Sequence, residues 1–144
     1  MFRFSLLLLL LGLNNSVAAE NQVQPSQNQD AKLTQRCLNS FEFIEQQDVQ
    51  AYIAEMPGEY YVGQEKRLQE ILNRSHKRWF ERGNTKPIEV LEVTYHQPSE
   101  IKKERFGAIE EARIKLYIVG DSFTAYANCK YLRTSNGWFL FKLP

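Results

Sequence analysis

Residues Ala112 to Phe141 read "ARIKLYIVGDSFTAYANCKYLRTSNGWFLF", and their period fixes the C-terminal half as antiparallel sheet. Ile114, Leu116 and Ile118 alternate with Arg113, Lys115 and Tyr117, so one face of this segment is apolar and the other polar. Gly120, Asp121 and Ser122 form a turn, and Asn136 with Gly137 forms a second turn before "WFLF". Three consecutive antiparallel strands follow from that punctuation. Within the middle strand Ala125, Ala127 and Cys129 share one face, and small side chains there let a helix approach closely.

Upstream, "IEVLEVTY" after Pro87 is rich in β-branched residues and predicts another strand with apolar groups on both faces. The connection "HQPSEIKKERFG" reads as a polar link or a short irregular strand. Before the sheet come three helices. Leu33, Cys37, Phe41 and Ile44 lie at helical spacing behind Asp30, which stands where an N-cap would. Asp48 caps a shorter helix carrying Val49, Tyr52 and Ile53, ended by Pro57 and Gly58. Leu68, Ile71, Leu72, Trp79 and Phe80 stripe a longer helix that stops at Gly83.

The N-terminus has a different texture. Arg3, the leucine run from Leu6 to Leu11, and Val17 with Ala19 match a cleavable export signal, placed at residues 1–19. The apolar run is too short for a stable membrane anchor. Residues 20–30, "ENQVQPSQNQD", hold almost nothing to bury and read as a flexible leader. Residues 31–144 then form a single domain, since about 125 residues after cleavage support one core. An exported chain of this kind is periplasmic or secreted. In such a compartment two cysteines in a small domain pair, so Cys37 and Cys129 are expected to form a disulfide.

With Arg3 removed, acidic and basic residues balance, which excludes the electrostatic footprint of a nucleic-acid binder. The long helix nevertheless has local basic excess, with Lys66, Arg67, Arg74, Lys77, Arg78 and Arg82. That excess reads as a solvated face, although basic helices also meet anionic lipid or acidic partners. Asn73-Arg74-Ser75 matches a glycosylation acceptor but falls inside the helix.

The order of helix, short helix, long helix and closing sheet resembles the nuclear-transport-factor-2-like (cystatin-like) superfamily, among its small exported bacterial domains. "QQDVQAYIAEMPGEYY" and "NGWFLF" carry the resemblance, which covers about Ala31 to Pro144. It implies an α+β fold in which N-terminal helices pack on a curved antiparallel sheet to form a cone. In some members the open end of the cone is a site.

Enzymes of that superfamily place a carboxylate or histidine base inside the cone, with a tyrosine as hydrogen-bond donor. Asp30, Asp48 and Asp121 are accounted for as caps or turn residues. Glu92 and His96 are the remaining catalytic candidates, with Tyr52, Tyr60, Tyr61 or Tyr95 as donors; His76 lies in the basic helix. No motif calls for a metal or another cofactor. Tyr52, Tyr60, Tyr61, Trp138, Phe139 and Phe141 are candidate ligand or partner contacts, in a pocket or on a surface. The apolar residues on both faces of "WFLF" point to a cover beyond the helices already assigned, such as a second copy forming a homodimer through the sheet face.

The leading expectation is a non-catalytic exported domain that binds a small apolar ligand or a protein partner. The alternatives are an isomerase or hydro-lyase with a base in the cone, and an inhibitor or immunity-type protein. An outward-facing Glu92 and His96 would remove the enzyme reading. A cone filled by its own side chains would leave only surface partners.

Overall fold

A computed structural model describes residues 27–144. The expected export signal at residues 1–19 and leader residues 20–26 lie outside the described residues. Helix α1 (Gln27–Gln46) presents Leu33, Cys37, Phe41 and Ile44 to the core, together with Ser40 and Phe43. Its first residues correct the expected leader boundary, because 27–30 are helical. Asp30 is therefore not a cap. It sits in the first turn, where its carboxylate accepts a hydrogen bond from Tyr95 at 2.5 Å.

Gln47, with φ of 53°, turns the chain out of α1 in the left-handed conformation, which frees Asp48 to begin α2 (Val49–Ala54). The Asp48 carboxylate accepts from the backbone N–H groups of Gln50 and Ala51, both at 3.0 Å, so this expected cap is present. After Pro57 a short 3-10 turn (Gly58–Tyr60) leads to α3 (Glu65–Phe80), which buries Leu68, Leu72 and Trp79. Gly83 follows with φ of 116°, and a Cβ there would stand 2.5 Å from a carboxylate oxygen of Asp121. That oxygen accepts the Asn84 N–H, so glycine is required both by conformation and by the close approach.

Strands β1 (Thr85–His96), β2 (Glu110–Gly120), β3 (Thr124–Thr134) and β4 (Gly137–Lys142) make a four-stranded antiparallel meander in sequence order. The sheet is strongly curled, and with the helices it gives the expected α+β cone-like architecture. Register shifts between Pro87 and Glu89, Val90 and Glu92, and Lys130 and Tyr131 are the local devices that bend it. Opposite one another on the inner face lie Ile114 and Cys129, Leu116 and Ala127, and Ile118 and Ala125. The small residues of β3 admit α1, and Cys37 reaches Cys129 in a fully buried disulfide with a Cα–Cα distance of 5.9 Å.

The connection between β1 and β2 is a helix, α4 (Glu100–Phe106), which corrects the expectation of a polar link or irregular strand. Ser99 precedes it, Glu100 and Lys103 complement its two ends, and Gly107 at φ of 60° closes it. This helix covers the outer sheet face at the end of β4. Phe106 and Ala108 pack there with Leu132, Phe139, Tyr60 and Phe141 in a second apolar cluster. The apolar outer residues of "WFLF" are thus covered by the chain's own α4, which removes the need for a second copy at that place.

Candidate functional site

Two regions qualify by geometry, the mouth of the cone and a groove beside α3. The cone interior is occupied by Leu33, Phe41, Ile44, Leu116, Tyr131 and the disulfide, all buried. At its mouth, Arg36 from α1 donates from Nε to Glu55 at 2.8 Å and from Nη1 to the Trp138 carbonyl at 3.0 Å. Its guanidinium also lies 5.0 Å from the ring centre of Tyr131. Arg133 donates to Glu110 at 3.0 Å and stacks near Trp138, whose ring meets Tyr95 edge-on. Arg36 and Arg133 at the mouth are each paired, and a hollow of about 190 Å³ remains there between Arg36, Glu55, Pro57, Trp138 and Phe139.

The tyrosines of this region are held in their neutral form. Burial first, then the hydrogen bond to Asp30, pushes the Tyr95 phenol well above its ordinary value. Burial also pushes Tyr131 far up, with Glu55 adding to it and Arg36 opposing it. The Tyr131 hydroxyl is buried without a hydrogen-bond partner among the described residues.

Beside α3 the arrangement differs. A groove of about 300 Å³ runs between α2, α3 and the end of β4 with the two residues that follow it. Its apolar walls are Tyr52, Ile71, Phe141 and Leu143, and its polar edge is Arg74, Ser75, Arg78 and Lys142. No aspartate or glutamate side chain lines it. Among the described residues none of those three cations takes part in an ion pair. Arg78 reaches across to a second hollow of about 210 Å³, lined by Trp79, Arg82, Phe123 and Ala125. Burial pushes the Tyr52 phenol up to about 12, which extends the pH range over which this wall stays uncharged.

The sequence candidates are scattered by the fold. Glu92 is exposed and pairs in register with Lys115 on the outer face. His96 is exposed too, with its Nε2 3.0 Å from the Thr94 hydroxyl. Neither enters the cone, which removes the arrangement of base and tyrosine that the enzyme reading required. Tyr52 is a groove wall and stacks on Phe43. Tyr60 donates to the Phe106 carbonyl at 3.0 Å and packs on Phe139 under α4, while Tyr61 packs against the main core. Trp138 stands at the cone mouth and Phe139 is buried, leaving only Tyr52 and Phe141 of the aromatic candidates on the groove. No group of three or more His, Cys, Asp or Glu suited to a metal occurs among the described residues. No helix among them is long and apolar enough to cross a membrane.

Sequence reasoning grouped Arg74 and Arg78 with a solvated face and passed over Lys142 and Arg36. The spacing of Arg74, Arg78 and Arg82 at four-residue intervals is the signal that marks them as one helical row. Comparison with known proteins finds no matching family model, no matching curated protein and no matching solved structure.

Proposed function

We propose that this chain is an exported, non-catalytic binding domain of the nuclear-transport-factor-2-like kind, which docks a protein partner over the groove beside α3. The observation that carries this reading is the contrast in charge pairing. Arg74, Arg78 and Lys142 border an open groove with apolar walls and no acidic side chain, whereas the cone is filled and its mouth is neutralised. A filled cone counts against a small apolar ligand held inside it, and outward-facing Glu92 and His96 count against a base in the cone. The buried disulfide supports an oxidising, periplasmic or secreted setting. The order of helices and curved sheet supports the superfamily assignment.

Native mass spectrometry of the protein isolated from its own compartment tests the reading. A complex of polypeptide mass is expected, and Arg74→Glu with Arg78→Glu should abolish it while the folded monomer persists. A bound mass of only a few hundred daltons, or a complex indifferent to that double substitution, would overturn the proposal.

A further inference from the structure

The arginines of α3 form a ladder whose rungs have a fixed spacing. Arg74, Arg78 and Arg82 follow one another at four-residue intervals, so each rung lies about 6 Å along the axis from the last. Arg78 borders both hollows, which joins the groove walled by Tyr52 and Phe141 to the one walled by Trp79 and Phe123. Its guanidinium rests 4.7 Å from the Trp79 ring centre, an arrangement that holds the middle rung in place. Lys77, on the flank, is already engaged with Glu81 at 3.9 Å.

An extended polypeptide repeats its side chains on one face every two residues, about 6.7 Å apart. That interval nearly matches the ladder: over three rungs the axial mismatch is about 1.4 Å, and the rungs also turn about 40° per step around the helix, offsets that the long arginine side chains can take up. A helical partner would offer acidic groups on one face at a similar rise, but only an extended one turns every intervening side chain to the opposite face. Arginine suits such a partner because its planar guanidinium meets a carboxylate in bidentate fashion. Resting on the binding reading above, we infer that the site takes an extended acidic segment of a partner protein. In that segment carboxylates alternate with apolar residues, the carboxylates meet Arg74, Arg78 and Arg82, and the partner's apolar side chains close over the groove walls.

The full mature chain can be titrated calorimetrically with a short capped peptide alternating Glu and Val. A capped isomer with all Glu residues before all Val residues has the same charge and composition. Phosphatidylglycerol vesicles and inorganic phosphate are the remaining arms. The alternating peptide should bind at least about fivefold more tightly than its isomer, and Arg78→Gln or Arg74→Gln should each weaken it about fivefold. Lys66→Gln, which removes one charge away from both hollows, should leave it unchanged. Equal binding of the two isomers, an equal loss with Lys66→Gln, a preference for vesicles or phosphate, or no binding would overturn the inference. Failure of the peptide, with a native complex still lost in the double Arg74 and Arg78 variant, would overturn the alternating segment and leave the groove standing. A native complex indifferent to that variant would bring down both.

Discussion

At the cone mouth Arg36 and Arg133 each hold a carboxylate side chain, while on α3 Arg74 and Arg78 border a groove lined by no aspartate or glutamate. The same side chain is therefore paired in one region and unpaired in the other. Arg36 is committed three ways, to Glu55, to a β4 carbonyl and to the Tyr131 ring, so moving it would strand partly buried groups. Arg78 is exposed and, among the described residues, has no ion pair or side-chain hydrogen bond beyond its stacking on the Trp79 ring, so its removal strands no polar partner. An arginine engaged with its own chain stabilises the fold, and one engaged with little is free to meet another molecule.

The largest expected effect concerns the sealed region. Cys37→Ser or Cys129→Ser should lower the unfolding free energy by roughly 4 kcal/mol, because the crosslink spans 92 residues and restricts the unfolded chain. Denaturant unfolding of the oxidised protein and each variant measures this. In the oxidised protein, thiol titration after denaturation without reductant should find none; two reactive thiols would break the description of the cone as a sealed core.

A direct comparison of the two regions comes next. Arg36→Ala should cost about 1 to 3 kcal/mol, since Glu55 is partly buried and loses its cation. Arg78→Ala should change stability by no more than about 0.5 kcal/mol. Equal costs at the two positions would erase the distinction drawn between them.

The smallest effect at neutral pH is expected for Tyr131→Phe, which removes a buried hydroxyl that bonds to nothing among the described residues. Its signature lies at high pH. The folded pKa of Tyr131 stands above the unfolded value of about 10, so on raising the pH past 10 the unfolded chain loses its proton first and stability falls. Tyr52, raised to about 12, adds to the same loss between pH 10 and 12. Tyr131→Phe should therefore move the alkaline unfolding midpoint upward, as read by circular dichroism. A midpoint shifted downward would mean that the hydroxyl has a partner after all.

The closing strands were legible because alternation and turn residues act over a few neighbours. Ile114, Leu116 and Ile118 sit inward as read, and the glycines at positions 120 and 137 lie at the turns. Helix α4 was not legible by the same means. It has seven residues and none of them is fully buried, so it shows no apolar stripe; only Ser99, the end charges and Gly107 mark it locally. The helical residues 27–30 at the end of the expected leader have a similar cause, because Asp30 bonds to Tyr95, 65 residues away. The site divides along the same line. Helical spacing puts Arg74, Arg78 and Arg82 in one row, but which arginine is engaged depends on distant partners. Glu55 is 19 residues from Arg36 and Trp138 is 102, and no local pattern encodes either meeting. Glu92 and His96 lie on the outer side because the shifts in β1 and the pleat together decide which residues face inward.

The crosslink between α1 and β3 also imposes an order in time. A chain delivered N-terminus first presents Cys37 long before Cys129, and the sequence offers it no other cysteine. Cys37 therefore has no wrong cysteine to pair with in its own sequence before Cys129 appears. Until β3 emerges, α1 can meet β1 and β2 but has no sulfur partner. The stability of the finished domain thus rests on a segment that arrives last.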